Sequence, residues 1–175
     1  MRSLLLLAAV GLALVGVLDA SDPLNRLERQ AQAFPAYAAA VELPLDEAFY
    51  WSAKRVEAVL EQQLGAHVLY GAPTVEGAAG ETLIPLRVIT IDASQHWTAR
   101  FETLGHEAAH LLSPPILLPT DEDVFAEGVA YLVAAHDGDR GALRRSAHYL
   151  AGLKASLHIL RDYRTEILRA AHFLE

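Results

Sequence analysis

The segment RFETLGHEAAHLLSPP, Arg100–Pro115, limits what this chain can fold into more than any other. At about 100° per residue, Phe101, Leu104, Ala108 and Leu111 share one side of a helix with Trp97, and His106 and His110 share the opposite side. Pro114, Pro115 and Pro119 then forbid the helix from continuing. Such a helix must bury one side against the domain and leave the other open to a cleft. Residues at i and i+4 carry β-carbons roughly 6 Å apart, so two imidazole nitrogens can converge on one ion through bonds of about 2.0–2.1 Å. Glu107 projects beside the pair, where a carboxylate can take a proton from an activated water. H-E-x-x-H on a helix therefore reads as two zinc ligands and a general base. With 8 His and 13 Glu in 175 residues, composition alone gives roughly 0.03 such matches, so an incidental pair on a solvated helix is the weaker reading.

An ion held there needs a third donor, and the chain has no cysteine to supply one. Position 116 is Ile, so no histidine follows six residues after His110. The next helix, DEDVFAEGVAYLVAAH, carries a single charge between Val124 and Ala135, that of Glu127. Val124, Phe125, Val129, Ala130, Leu132 and Val133 surround it, so this helix is expected to be buried on nearly all sides. A buried carboxylate without a partner is costly, and a divalent cation removes that cost. Glu127 is thus expected as third ligand of one Zn2+; a Glu that reaches solvent or an arginine is the competing reading. Gly128 beside it is expected to admit another backbone. Hydrolysis also needs a donor for an oxyanion. Tyr131, one turn beyond Glu127, is the first candidate, and His148 with Tyr149 the second. Asp121, Glu122 and Asp123 are expected to start the helix or to hold a ligand imidazole in its tautomer.

H-E-x-x-H followed by Glu on the next helix resembles the gluzincin group of zinc metallopeptidases. Within it, VITIDASQHWTARFETLGHEAAHLL and FAEGVAYLVAA resemble the ImmA/IrrE-like metallopeptidase domain over about Val88 to Ala135. The resemblance implies zinc on His106, His110 and Glu127, Glu107 as base, and a peptide lying extended on the strand before the motif. Glu102 stands where that family has Phe, Ala108 and Ala109 replace Leu-Gly, and Tyr131 takes the aromatic place after the third ligand.

The rest of the chain frames this motif. Residues 1–20, MRSLLLLAAVGLALVGVLDA, hold one early cation and an unbroken apolar run. They read as a signal peptide or, uncleaved, as an N-terminal anchor, and either places the remainder outside the cytoplasm, with any membrane contact through this segment. Residues 21–175 suit a single domain. A net charge of −8 without a basic cluster excludes nucleic acid as a natural partner. LPLDEAFYWSAKRVEAVLEQQLG reads as a helix capped by Asp46 and stopped by Gly65. AHVLYG reads as a strand, and TLIPLRVITID as one strand or two broken at Pro85. Ser94 is expected to cap the motif helix, and a leucine stripe from Ala142 onward reads as one long helix with Gly152 its weak point. Trp51 and Trp97 are expected in the core; His67, His96, His136, His158 and His172 are expected at the surface. The expected fold is α+β, mostly helical and zincin-like, with a short antiparallel sheet packed on the active-site helix. The expected function is a zinc metallopeptidase acting on a peptide or protein. The alternative is a catalytically inactive exported binding or structural module on the same scaffold.

Overall fold

The structure is a computed structural model and describes residues 21–33, 49–153 and 155–175. The N-terminal segment at residues 1–20 and the cap expected at Asp46 lie outside the described residues. In chain order the elements are α1 (Pro23–Ala33), α2 (Phe49–Val59), β1 (His67–Gly71), β2 (Gly80–Leu83), β3 (Val88–Asp92), α3 (Trp97–His110), α4 (Pro119–His136), α5 (Ala142–Gly152), α6 (Ile159–Asp162) and α7 (Arg164–Leu174).

Local chemistry sets most of these boundaries. Asp22 starts α1, its Oδ1 accepting the backbone N–H groups of Leu24 (2.9 Å) and Asn25 (3.2 Å). The helix begun by α2 widens into one π turn, Leu60–Leu64, and ends at Gly65, whose left-handed φ of 60° suits a residue without a β-carbon. Pro85 does break its segment in two: it sits in a 3-10 turn, Ile84–Leu86, between β2 and β3. Ser94 does not cap α3. Its backbone N–H and its hydroxyl both donate to Asp92, at 2.8 Å each, closing a turn, and α3 begins after His96. Pro119 is the first residue of α4, where its missing N–H has no intrahelical partner to lose.

The sheet runs β1-β3-β2. β2 pairs antiparallel with β3, but β1 pairs parallel with it, His67 to Gly71 lying opposite Val88 to Asp92. The sheet is therefore mixed, where an antiparallel one was expected. The chain leaves β1, builds β2 and returns between the two, so β1 and β3 are joined by a crossover and must run the same way. Ile89 and Ile91 of β3 are fully buried beneath the helices.

Phe101, Leu104 and Ala108 of α3 are buried, as their spacing requires. Along α4 every residue from Val124 to Ala134 is buried except Glu127. α3 and α4 form the most extensive helix pair. They meet at Gly105, where an added β-carbon would stand 3.3 Å from the Ala130 Cα. Gly128 faces the Leu160 and Ile167 side chains rather than the backbone expected there. The long C-terminal helix is interrupted: α5 ends at Gly152 and α6 starts at Ile159, with Leu157 in the connection. Five helices, not three, thus follow the sheet among the described residues. Trp51 is 74% exposed, contrary to expectation, because α2 buries Phe49, Ala53 and Val56 on its other side. Trp97 is half-buried, edge-on to Tyr50 and Tyr70 with Arg100 over its ring. All five histidines assigned to the surface are exposed. The architecture is α+β and mostly helical, with its small sheet on the helix that carries the motif.

Candidate metal centre

The close crossing at Gly105 and Ala130 brings His106 of α3 against Glu127 of α4. His106 Nδ1 lies 3.1 Å from Glu127 Oε2, with both side chains nearly buried. The His106 and His110 rings are 5.1 Å apart between centroids and inclined at 70°, so the two imidazoles share one side of α3 as their spacing requires. His110 meets the start of α4: its Nδ1 is 3.4 Å from Glu122 Oε1 and its Nε2 3.8 Å from Asp123 Oδ1. The Ser113 hydroxyl donates to the same Glu122 oxygen at 2.5 Å and fixes that carboxylate. His106, His110 and Asp123 each offer one ligand atom within 4.8 Å of the other two. Among the described residues that converging group contains Asp123 and not Glu127.

Glu107 turns toward the sheet. The Thr82 hydroxyl of β2 lies 2.8 Å from Glu107 Oε2 and 2.9 Å from the Glu107 carbonyl, and its one proton serves one acceptor at a time. β2 comes this close because Gly80 has no side chain: a β-carbon there would stand 2.6 Å from Thr103 Cγ2 and 2.8 Å from Glu107 Cγ. The strand before the motif, β3, was expected to be the edge that receives a peptide. It is the central strand, paired on both sides, and β2 is the outer strand beside Glu107.

A cleft of about 630 Å³ is walled by Gly80, Thr103, His106, Glu107, Glu127 and Tyr149, while His110 and Asp123 do not line it. Glu102 and Arg145 line it as well. Arg145 Nε donates to both Glu102 oxygens, at 2.9 and 2.8 Å, Nη2 donates to Oε1 at 2.7 Å, and Nη2 also reaches Asp139. Burial drives the Glu102 carboxyl up to about 7, against the pull of Arg145. For His106, burial disfavours the charged ring, but the hydrogen bond and charge of Glu127 outweigh it and raise the pKa. Burial, with Asp123, Glu127 and Glu107 nearby, raises Tyr149 and keeps its hydroxyl a neutral donor.

The three oxyanion candidates separate clearly. Tyr149 lines the cleft, its ring edge-on to His106 at 5.4 Å. Tyr131 does not line it: one turn beyond Glu127, α4 has carried that side chain to the region of Arg26 and Asp22 at the start of α1. His148, half-buried beside Tyr149, does not line the cleft either. Thr82 and Arg145 escaped the reading of the sequence. For Thr82 no signal exists, since only the sheet register brings it to Glu107. For Arg145 a signal was present: Glu102, one turn before His106 in a place where the resembled family has Phe, is a cleft-facing acid that calls for a cation.

No protein-family model, curated protein or solved structure matches this chain. Among the described residues no helix is long and apolar enough to cross a membrane.

Proposed function

We propose that the chain is a zinc-dependent peptidase of gluzincin-like type, similar in its motif region to the ImmA/IrrE-like metallopeptidase domain. One observation carries the reading: two imidazoles of α3 and a carboxylate of α4 converge, and one of those imidazoles, His106, lines an open cleft together with Glu107 and Glu127. The donor set of imidazole and carboxylate without thiolate suits zinc. His106 and His110 would hold the ion together with the acidic face of α4, on which Asp123 and Glu127 stand one turn apart. When bound, zinc supplies Lewis acidity, polarising a scissile carbonyl and lowering the pKa of a water. Glu107, oriented by Thr82, takes the proton of that water and delivers it to the leaving amine. The Tyr149 hydroxyl is the donor best placed for the developing oxyanion. The substrate is a peptide or protein segment lying along β2, and the N-terminal apolar segment favours an extracytoplasmic setting.

An inactive binding module on the same scaffold is the second reading, but a base presented to a cleft has no use in mere binding. Zinc content and hydrolysis of a quenched-fluorescence peptide library by the full chain test the proposal. Glu107→Gln should keep its zinc and lose roughly 10²- to 10⁴-fold in rate. A wild-type protein that binds no zinc, or an undiminished rate in the Glu107→Gln variant, would contradict it.

A further inference from the structure

The hydrogen-bonding of the two imidazoles decides which acid completes the centre. A histidine that binds a metal through one ring nitrogen donates the other N–H to a carboxylate or carbonyl, which fixes its tautomer. The His106 ring meets that condition at Nδ1, and the His110 ring presents the same nitrogen to a carboxylate. His106 Nδ1 faces Glu127 at 3.1 Å, and His110 Nδ1 faces Glu122 at 3.4 Å. Each ring is left with Nε2 for an ion. The acid found at that nitrogen of His110 is Asp123, at 3.8 Å. Ligand atoms around a tetrahedral zinc stand about 3.3 Å apart, so this pair needs to close by only about half an ångström. Glu127, by contrast, belongs to no group of donors that reaches both imidazoles.

Burial agrees with this division. The Glu127 side chain is 12% exposed and the Asp123 side chain 36%. Glu127 sits behind His106 with a ring nitrogen as its partner, where a carboxylate orients an imidazole and sharpens its basicity. Asp123 is the more open of the two to the solvent from which an ion arrives. Asp123 and Glu127 are four apart on α4 and share a face, so a sequence pattern alone cannot choose between them.

We infer that Asp123 is the carboxylate ligand of this centre and that Glu127 is a positioning residue, accepting the Nδ1–H of His106 while Glu122 does the same for His110. The inference rests on the metal-dependent reading above. Under it the ligand set is His106, His110 and Asp123, which departs from the gluzincin pattern in its third ligand, and a corner remains for water.

Zinc affinity of the full chain, measured by competition with a chromophoric chelator, separates the two acids. Asp123→Asn should weaken zinc binding by at least about 100-fold. Glu127→Gln keeps an acceptor for the Nδ1–H and should weaken it less than the Asp123 variant does, within the roughly 10- to 100-fold scale of lost outer partners. Thermal unfolding of the metal-free proteins checks that each variant folds, and Asp123→Ser replaces Asp123→Asn should the latter not. Cobalt-loaded protein gives a second readout: the visible ligand-field bands should change with Asp123 and persist with Glu127. If Glu127→Gln loses as much affinity as the Asp123 variants or more, the assignment is overturned while the metal centre stands. If the wild type binds no zinc, the metal-dependent reading itself falls, and this inference with it.

Discussion

Replacing Gly80 by Ala probes the contact that sets Glu107, and it does so without a substrate or an ion. The added β-carbon would lie 2.6 Å from Thr103 Cγ2, 2.8 Å from Glu107 Cγ and 3.0 Å from Glu107 Oε1, where ordinary contacts begin near 3.4 Å. Neither neighbour yields easily. Thr103 is β-branched and stiff at χ1, and Glu107 is tied to Thr82. Relief requires β2 to lift from α3 by roughly 0.5–1 Å, which strains its pairing with β3, where Gly80 lies opposite Ile91. Overpacking of this kind costs about 1–3 kcal/mol. For a chain of this length each kcal/mol lowers the melting temperature by roughly 2–4 °C, so a fall of a few to about 10 °C is expected. Gly71→Ala is the matched control: it lies in the same sheet, with no atom within 4 Å of its β-carbon. Thermal and urea unfolding of both variants, followed by circular dichroism, gives the comparison. Equal stability of the two would mean that β2 does not rest on α3 as described.

Thr82→Val removes the hydrogen bond to the Glu107 carboxylate and keeps the shape of the side chain. Bonds to charged groups contribute about 1.5–3 kcal/mol, so kcat/KM on the peptide library should fall roughly 10- to 100-fold with zinc affinity unchanged, and an unaltered rate would remove Thr82 from the mechanism. Glu102 makes stability depend on pH with an unusual sign. Its folded pKa of about 7 lies above the ordinary 4.5, so folding favours the protonated acid. That contribution, as much as about 3 kcal/mol, is complete below pH 4.5 and is lost as pH rises through 7. Urea midpoints across this range should fall for the wild type relative to Glu102→Gln, and a difference curve without slope contradicts the burial of this acid.

Features written into a few neighbouring residues were legible in the sequence. α3 declared itself because its apolar and ionisable residues split at helical spacing, and α4 because an apolar run with one acid has no solvent face to offer. Gly65 marked its boundary through backbone preference alone, whereas the helix expected to start at Thr120 or Asp121 begins at Pro119. What failed depended on partners far away in the chain. Period-two alternation shows that a strand exists and not which neighbour it joins or in which direction, so the parallel pairing of β1 with β3 was hidden. The leucines from Leu143 to Leu160 kept a helical rhythm through a break, because Leu153 and Leu157 pack against the core from the connection as well. Trp51 was misplaced because size alone does not bury a side chain when Phe49 and Ala53 already define the inner side of α2. In the site, the two imidazoles could be read, but the acid named with them was Glu127, and spacing alone could not show that Asp123 converges with both rings.

One guanidinium shows how a site spread over three helices is held to the tolerance that chemistry needs. Arg145 is the first of two α5 residues at the cleft, and Tyr149 stands one turn beyond it on the same face. By gripping Glu102 through both oxygens, Arg145 fixes α5 to α3 at a point one turn before His106. By reaching Asp139 it also fixes α5 to the turn that ends α4. The three helices are thus joined by a polar clamp in the cleft wall, and α3 and α4 also by the close approach of Gly105 to Ala130. Tyr149 then has no independent freedom to drift from His106: the clamp that sets Arg145 sets the tyrosine ring too. Two acids against one cation would be a poor way to stabilise a buried cluster, since burial alone already drives Glu102 toward its neutral form. Its value lies in direction. A guanidinium whose Nε and Nη2 are both engaged tolerates little rotation, and that rigidity is passed along α5 to Tyr149 at the cleft.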